Sequence, residues 1–297
     1  MYTRKLKTDK GDKYFFYKND KKISPFHELE HGFTEANGKL YVNMVIEIPK
    51  YTKKKMEINT TEKYNPIKQD TVKNKLRFVA EKKNRPTKKQ NSKIYAIYKK
   101  IWKDKEGYNL FSYGAIPQTF ENPKLNLEEY KNEFFYNDLL NVKIDDETIF
   151  DEDDHDKKMK LKDYLVGKNI IEKNKLNPKK IFGDGDPLDI FLIHSDKTKF
   201  KTGSFIKVEV LGIIPMIDDG EIDWKVLAKL PSDPANYQAN IKNYINWFKY
   251  YKGKYANNKF NRQNIIFGNK ETIMTKDVAK RIIQKCSEQY IEVYSKN

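Results

Sequence analysis

The pattern of apolar and polar positions predicts a chain that is β-rich through its first half and middle. Leu40–Ile48 (LYVNMVIEI), Lys55–Ile58, Leu76–Ala80, Asp189–His194, Ser204–Ile217 and Trp224–Leu230 are rich in Val, Ile, Phe and Tyr. Several of them alternate apolar with polar residues, as a half-buried strand does. The period then lengthens. Ile241, Tyr244, Ile245 and Phe248 fall on one helix face, punctuated by Pro234 upstream and Gly253 downstream. Val278, Ile282, Ile283, Cys286 and Tyr290 repeat the helical spacing, with Thr275 placed as the N-cap. The expectation is an α+β protein, mainly β, with a compact antiparallel core and helices at its C-terminal end.

Two stretches interrupt this pattern. Lys82–Lys99 is rich in Lys and Asn, has no sustained period and reads as a loop. Lys124–Lys180 is longer and carries the acidic run Ile144–Asp156 (IDDETIFDEDDHD). That run lacks the central glycine and the correctly placed final Glu of an EF-hand, which leaves a solvated surface loop. No repeat and no linker appears, so one domain over 1–297 is expected, with insertions near 82–99 and 124–180.

At 297 residues the chain can bury one substantial core or two small ones. Lys and Arg number 58 against 42 Asp and Glu, a net charge of +16, which suits nucleic acid, an anionic membrane or a small polyanion. The lysines are spread along the whole chain, so composition bias and solubility account for much of that excess. Cys286 is the single cysteine and cannot form an intrachain disulfide, which points to a reducing compartment. No run approaches the ~18 apolar residues of a membrane span, and the basic N-terminus lacks the apolar stretch of a signal peptide. A cytoplasmic protein with no membrane partner is expected.

The candidate chemistry lies in three carboxylate-bearing segments. In GDGDPLDIFLI, residues 183–193, Asp184, Asp186 and Asp189 crowd the lip of an apolar strand. Three carboxylates so placed repel one another unless a positive charge sits among them, and a hard divalent cation is the usual answer. Gly183 and Gly185 would let the backbone turn so that alternate carboxylates converge. A polar turn made of good turn formers is the competing reading. In MIDDGEIDWK, residues 216–225, Asp218 and Asp223 flank a turn at Gly220, and Lys225 alternates with Asp223. In Asn43–Ile58, Glu47, Lys55 and Glu57 lie on strand-like segments, with Lys55 and Glu57 on one face. A site for a metal–polyphosphate complex needs both kinds of group, carboxylates for cations and Lys or Arg for phosphate oxygens.

These segments resemble the family I soluble inorganic pyrophosphatases, more the eukaryotic branch than the shorter bacterial one. GDGDPLDI at 183–190 matches the family's Asp-x-Asp-Pro-x-Asp motif. NMVIEIPK with KKKMEI, NPIKQDT and LRFV at 65–79, YGAIPQTFENP at 113–123, LGIIPMIDDGEIDWKV at 211–226 and WFKYYK at 247–252 follow in the family's order. The likeness spans roughly Asn43–Lys252. It implies a five-stranded, OB-like β-barrel core with flanking C-terminal helices. It also implies metal-dependent hydrolysis of pyrophosphate to two orthophosphates by direct attack of metal-bound hydroxide, with several Mg2+ ions for which Mn2+, Co2+ or Zn2+ could substitute. In that reading Asp184, Asp189 and Asp223 hold the tighter ion, and Asp189 bridges to a second. Asp218 and Asp223 hold an ion arriving with substrate, and Glu57 another. Asp186 is the general base. Lys55, Arg77, Tyr113, Tyr251 and Lys252 bind the phosphates, and Glu47 and Lys225 line the cavity. Two departures stand out. Tyr108 precedes Tyr113 by five residues where the eukaryotic relatives keep four. The basic–aromatic pair that some members use at a dimer interface is Lys50–Tyr51 rather than Arg–Trp. A homodimer remains the expected assembly.

Two rival readings differ in class. A basic OB-like nucleic-acid-binding protein would suit the charge and the tyrosines, but it leaves the carboxylates at 184–189 and 218–223 unexplained, so no nucleic-acid partner is expected. A catalytically inactive pyrophosphatase-fold binding protein would show losses at the metal ligands, and none is apparent. Activity on longer polyphosphates stays open as a side reaction.

Overall fold

The computed structural model describes residues 1–72, 74–79, 111–140, 148–150, 158–173, 175–195, 197–218, 220–233, 241–250, 255–256, 259–260, 264–267 and 273–295. An N-terminal ribbon joins β1 (Tyr2–Thr8) to β2 (Gly11–Lys18). β3 (Lys39–Ile48), β4 (Met56–Ile58), β5 (Ile67–Gln69), β6 (Ser112–Ala115), β7 (Asp189–Ile193), β8 (Phe205–Ile214), β9 (Met216–Asp218), β10 (Glu221–Ile222) and β11 (Lys225–Lys229) follow. Helices α1 (Tyr136–Leu140) and α2 (Leu161–Gly167) precede the motif strands; α3 (Ile241–Tyr250) and α4 (Lys276–Tyr294) come after them.

A closed five-stranded barrel forms the centre. Its strands run in the order β6, β7, β11, β8, β3, and β3 pairs again with β6. Closure happens at Gly114, opposite Ile46, where the register shifts after Tyr113. A Cβ on Gly114 would stand 1.9 Å from the Val45 carbonyl oxygen, so only glycine permits this approach. The core is not wholly antiparallel, contrary to the pattern-based expectation: β7 and β11 run parallel, with Asp189 opposite Lys225. The chain between them, long enough to hold β8, β9 and β10, allows the crossover that a parallel pair requires.

Both faces of the barrel strands are covered, which explains their near-continuous apolar runs. Ile190, Leu192, Val226 and Ala228 pack with Trp224 and with Ile282, Ile283 and Cys286 of α4. Their neighbours Phe191, Ile193 and Leu227 pack with Phe111 and with Trp247 and Phe248 of α3. Thr275 caps α4 as its sequence position suggests, its hydroxyl accepting from the Val278 amide. The described parts of 124–180 belong to this core: Leu127, Tyr130, Phe135, Leu139, Leu165, Ile170 and Leu176 are buried in it. Glu133 docks that segment on α4 through paired bonds from Arg281 of 2.9 and 2.8 Å. Lys82–Lys99 lies outside the described residues. Of the acidic run 144–156 only 148–150 is described, as a strand paired with Lys158–Lys160.

Three strand boundaries differ from the sequence expectation for identifiable reasons. The long apolar stretch 204–217 is two strands, because Pro215 has no N–H and the chain changes sheets there. Leu76–Ala80 retains only the Lys75–Leu76 pairing and a bridge from Phe78 to Lys54, because the backbone turns back on Asp70. The N-terminal ribbon is a strand pair the pattern did not predict: β1 is exposed nearly throughout, and β2 buries Phe16 in the core. Asp12, only 5% exposed, anchors the ribbon through Lys5 at 2.9 Å and through Lys54.

Candidate active site

The ends of β7, β9, β10 and β11 and the loops around β4 and β5 converge on a cavity of about 290 Å³. One wall is the turn 183–186. Gly185 takes φ +84, and the Asp186 amide donates to the Asp184 carboxylate at 2.9 Å, so the two carboxylates are held side by side. Gly183 is needed for a different reason: a Cβ there would stand 2.4 Å from the Glu121 carbonyl oxygen. Residues 120–122 form a strap across the turn. The Glu121 amide donates to the Asp186 carbonyl and the Gly185 amide to the Glu121 carbonyl, each at 2.9 Å.

The second wall comes from β9 and β11. Asp218 pairs with Glu221 across the turn at Gly220, and the Asp223 amide donates to the Met216 carbonyl at 3.0 Å. Lys225, almost fully buried, contacts both Asp189 and Asp223 and donates to the Tyr113 hydroxyl at 2.8 Å. Tyr113 in turn donates to Asp189. The parallel register that sets Asp189 beside Lys225 creates this cluster.

The third wall carries the other two cations, Lys55 and Arg77. Lys55, Asp70 and Arg77 are tied through their backbones: Lys55 donates to the Arg77 carbonyl at 3.2 Å, Asp70 to that of Lys55 at 2.9 Å, and Arg77 to that of Asp70 at 2.8 Å. Their side chains repeat the arrangement, the Asp70 carboxylate accepting from Lys55 at 3.2 Å and from Arg77 at 2.5 Å. Lys55 also contacts Glu57, its neighbour on the same face. Glu47 sits behind, buried, accepting the Ile58 amide at 2.6 Å.

Eight carboxylates and three cations line the cavity among the described residues, and the electrostatics follow from that imbalance. Burial, then Asp223 and Asp186, hold Asp184 well above the usual carboxylate range. Asp186 is open to the cavity, yet surrounding wall atoms and the charges of Glu57 and Asp189 push it up to about 7. Asp223 also reaches about 7, driven by burial; Lys225 opposes that rise while Asp189 adds to it. Glu47 and Glu121 are raised well above normal, chiefly by burial and then by neighbouring aspartates. Asp70 goes the other way: burial disfavours its charge, but Lys55 and Arg77 outweigh burial and lower its pKa. Raised carboxylate values clustered in a cleft mark a place where a positive charge is wanted.

The donor set fits a hard divalent cation. One oxygen each from Glu121, Asp184 and Asp223 lies within 4.8 Å of the others, as all-oxygen coordination requires. One Glu121 oxygen is buried with no hydrogen-bond partner among the described residues. The structure therefore brings Lys55, Glu57, Arg77, Tyr113, Asp184, Asp186, Asp189, Asp218, Asp223 and Lys225 to one cavity, with Glu47 just behind. Tyr251, Lys252 and Tyr108 lie outside the described residues. Sequence reasoning assigned nothing to Glu121 or Asp70, although both stand within the quoted motifs.

Comparison with known proteins agrees with this picture. The family model described as "Pyrophosphatase: Inorganic pyrophosphatase" matches residues 44–291. The chain is 32% identical over 251 residues to an inorganic pyrophosphatase of Bos taurus, covering 80% of this chain and 61% of that protein. It is 26% identical over 300 residues to "Soluble inorganic pyrophosphatase 6, chloroplastic" of Arabidopsis thaliana, covering 96% of this chain and 70% of that one. Among solved structures, the inorganic pyrophosphatase of Schistosoma japonicum superposes with a TM-score of 0.63 at 28% identity, covering 98% of this chain and 80% of that chain. A family match running from β3 into α4 takes in every wall of the cavity, and the chain belongs to the inorganic pyrophosphatase family.

Proposed function

We propose that the chain is a divalent-cation-dependent hydrolase that converts inorganic pyrophosphate to two orthophosphates, with Mg2+ as its ordinary ion and Mn2+, Co2+ or Zn2+ as substitutes. The observation that carries the reading is the charge make-up of the cavity. Eight carboxylates against three cations leave an excess of five negative charges when all are ionised, in a chain whose net charge is +16. A bare polyanion would be repelled by such a site, and one bound together with cations would be held.

Bound divalent ions would offset the substrate's charge and acidify water, a role for which Glu57, Asp184, Asp189, Asp218 and Asp223 supply oxygen ligands. The chain's own groups account for the rest. Asp186, open to the cavity beside these carboxylates, is suited to accept a proton from the attacking water. Lys55 and Arg77, set in place by Asp70, hold phosphate oxygens, and Tyr113 and Lys225 face the opposite end. As the water oxygen bonds to one phosphorus, the bridging P–O bond breaks, and negative charge building on the departing phosphate is met by these cations. Tyr251 and Lys252 complete the phosphate contacts in this reading.

The same proposal includes a single domain over 1–297, a cytoplasmic location and a homodimer. The lone thiol supports a reducing compartment, and no described helix is long and apolar enough to cross a membrane. Exposed Tyr51, with the Lys50 ammonium 5.1 Å from its ring centre, supports a contact surface for a second copy. Phosphorus NMR of the purified chain with pyrophosphate and Mg2+ tests the activity. The pyrophosphate resonance should give way to orthophosphate alone, and persistence of pyrophosphate with every divalent ion tried would sink the proposal.

A further inference from the structure

Glu121 belongs to neither the family motif at 183–190 nor the acidic hairpin at 216–225, yet its backbone is held from two sides. Its backbone exchanges two hydrogen bonds with the turn, both at 2.9 Å. On the other side the strap is fastened to α4: the Phe120 amide donates to the Cys286 carbonyl at 2.9 Å, and the Asn122 amide to the Gln289 side chain at 3.0 Å. Gly183 lies so close that any Cβ would collide with the strap's carbonyls. The side chain is 3% exposed and cannot swing out to solvent.

One Glu121 oxygen accepts the Trp224 amide at 3.1 Å. The other is buried and has no hydrogen-bond partner among the described residues. A buried carboxylate oxygen left this way is costly unless something positive meets it. Asp184 and Asp223 each bring an oxygen within 4.8 Å. Asp189 and Asp223 also both contact Lys225, whereas the second Glu121 oxygen has no such cation beside it among the described residues. Resting on the proposed metal dependence, we infer that Glu121 is a ligand of the innermost cation, joining Asp184 and Asp223 from the strap docked on α4. The ion then bridges the 183–186 turn, the strap and the start of β11, three segments that are far apart in sequence.

The test is Mn2+ binding without substrate, by calorimetry and by electron paramagnetic resonance of the free ion, on the full chain and its E121Q and E121D variants. Gln keeps an oxygen for the Trp224 amide and removes the charge, so metal-free E121Q should melt at or above the parent's temperature. Its Mn2+ affinity for the tightest site should fall at least tenfold, the scale expected when a coordinating or orienting group is lost. E121D, which keeps the charge but withdraws the oxygen, should fall between the two. Parent-like affinity in folded E121Q overturns the inference. If E121Q does not fold, a several-fold loss in E121D supports the inference and unchanged affinity there overturns it. Failure of the parent itself to bind Mn2+ would count against the proposed metal dependence instead.

Discussion

Removing the charge of Asp223 should stabilise the metal-free protein, and by an amount that depends on pH. Asp223 is 5% exposed and titrates at about 7, against 3.8 for an unhindered aspartate. In the unfolded chain it ionises near 3.8; in the fold it keeps its proton to about 7. The folded state therefore binds more protons between those values, and stability falls as pH rises through that window, at about 1.36 kcal/mol per unit. Above pH 7 the loss is complete and amounts to about 4 kcal/mol. Asp223→Asn cannot ionise and escapes it. Urea unfolding in the presence of a chelator should give D223N a stability within about 1 kcal/mol of the parent at pH 4, and a lead of several kcal/mol at pH 8. A parent as stable as D223N at pH 8, or more so, would refute the reasoning, because it would mean that Lys225 alone offsets the buried charge.

The same logic predicts that Mg2+ raises the melting temperature of the parent more at pH 8 than at pH 5, since only ionised carboxylates repay its binding; scanning fluorimetry at the two pH values checks this. Gly114→Ala should cost more than about 4 kcal/mol or prevent folding, because the added carbon meets the Val45 carbonyl where the barrel closes; a thermal melt close to the parent's would contradict the closure argument. Asp70→Asn should raise KM for pyrophosphate about tenfold while lowering kcat less, since it loosens Lys55 and Arg77, each held by a charge-assisted bond; steady-state kinetics separates the two.

Much of the site was legible in the sequence because turns and strand alternation are local. Asp184 and Asp186 are held together by a two-residue turn, and Lys55 and Glu57 share a face by the period of the strand. Glu121 was not legible, because its partners lie some sixty and a hundred residues away and only the strap's docking brings it to the turn. Asp70 was missed for a related reason: its role is to join Lys55 and Arg77 through backbone and side chain at once, which no spacing rule reveals. In the fold, periodicity found the barrel strands but not the parallel pairing of β7 with β11, since register between distant strands leaves no mark on either one. The N-terminal ribbon was hidden because its exposed strand β1 carries no apolar pattern, while its docking rests on Phe16 of β2 together with the buried Asp12.

The most direct test of the account is the rate of phosphate release from pyrophosphate, measured with Mg2+ and with a chelator, for the parent and for Asp186→Ala. Fast release that requires Mg2+ and falls by at least about a hundredfold in the variant is the predicted result. Release that persists without divalent ions, or that survives the loss of Asp186, would contradict it.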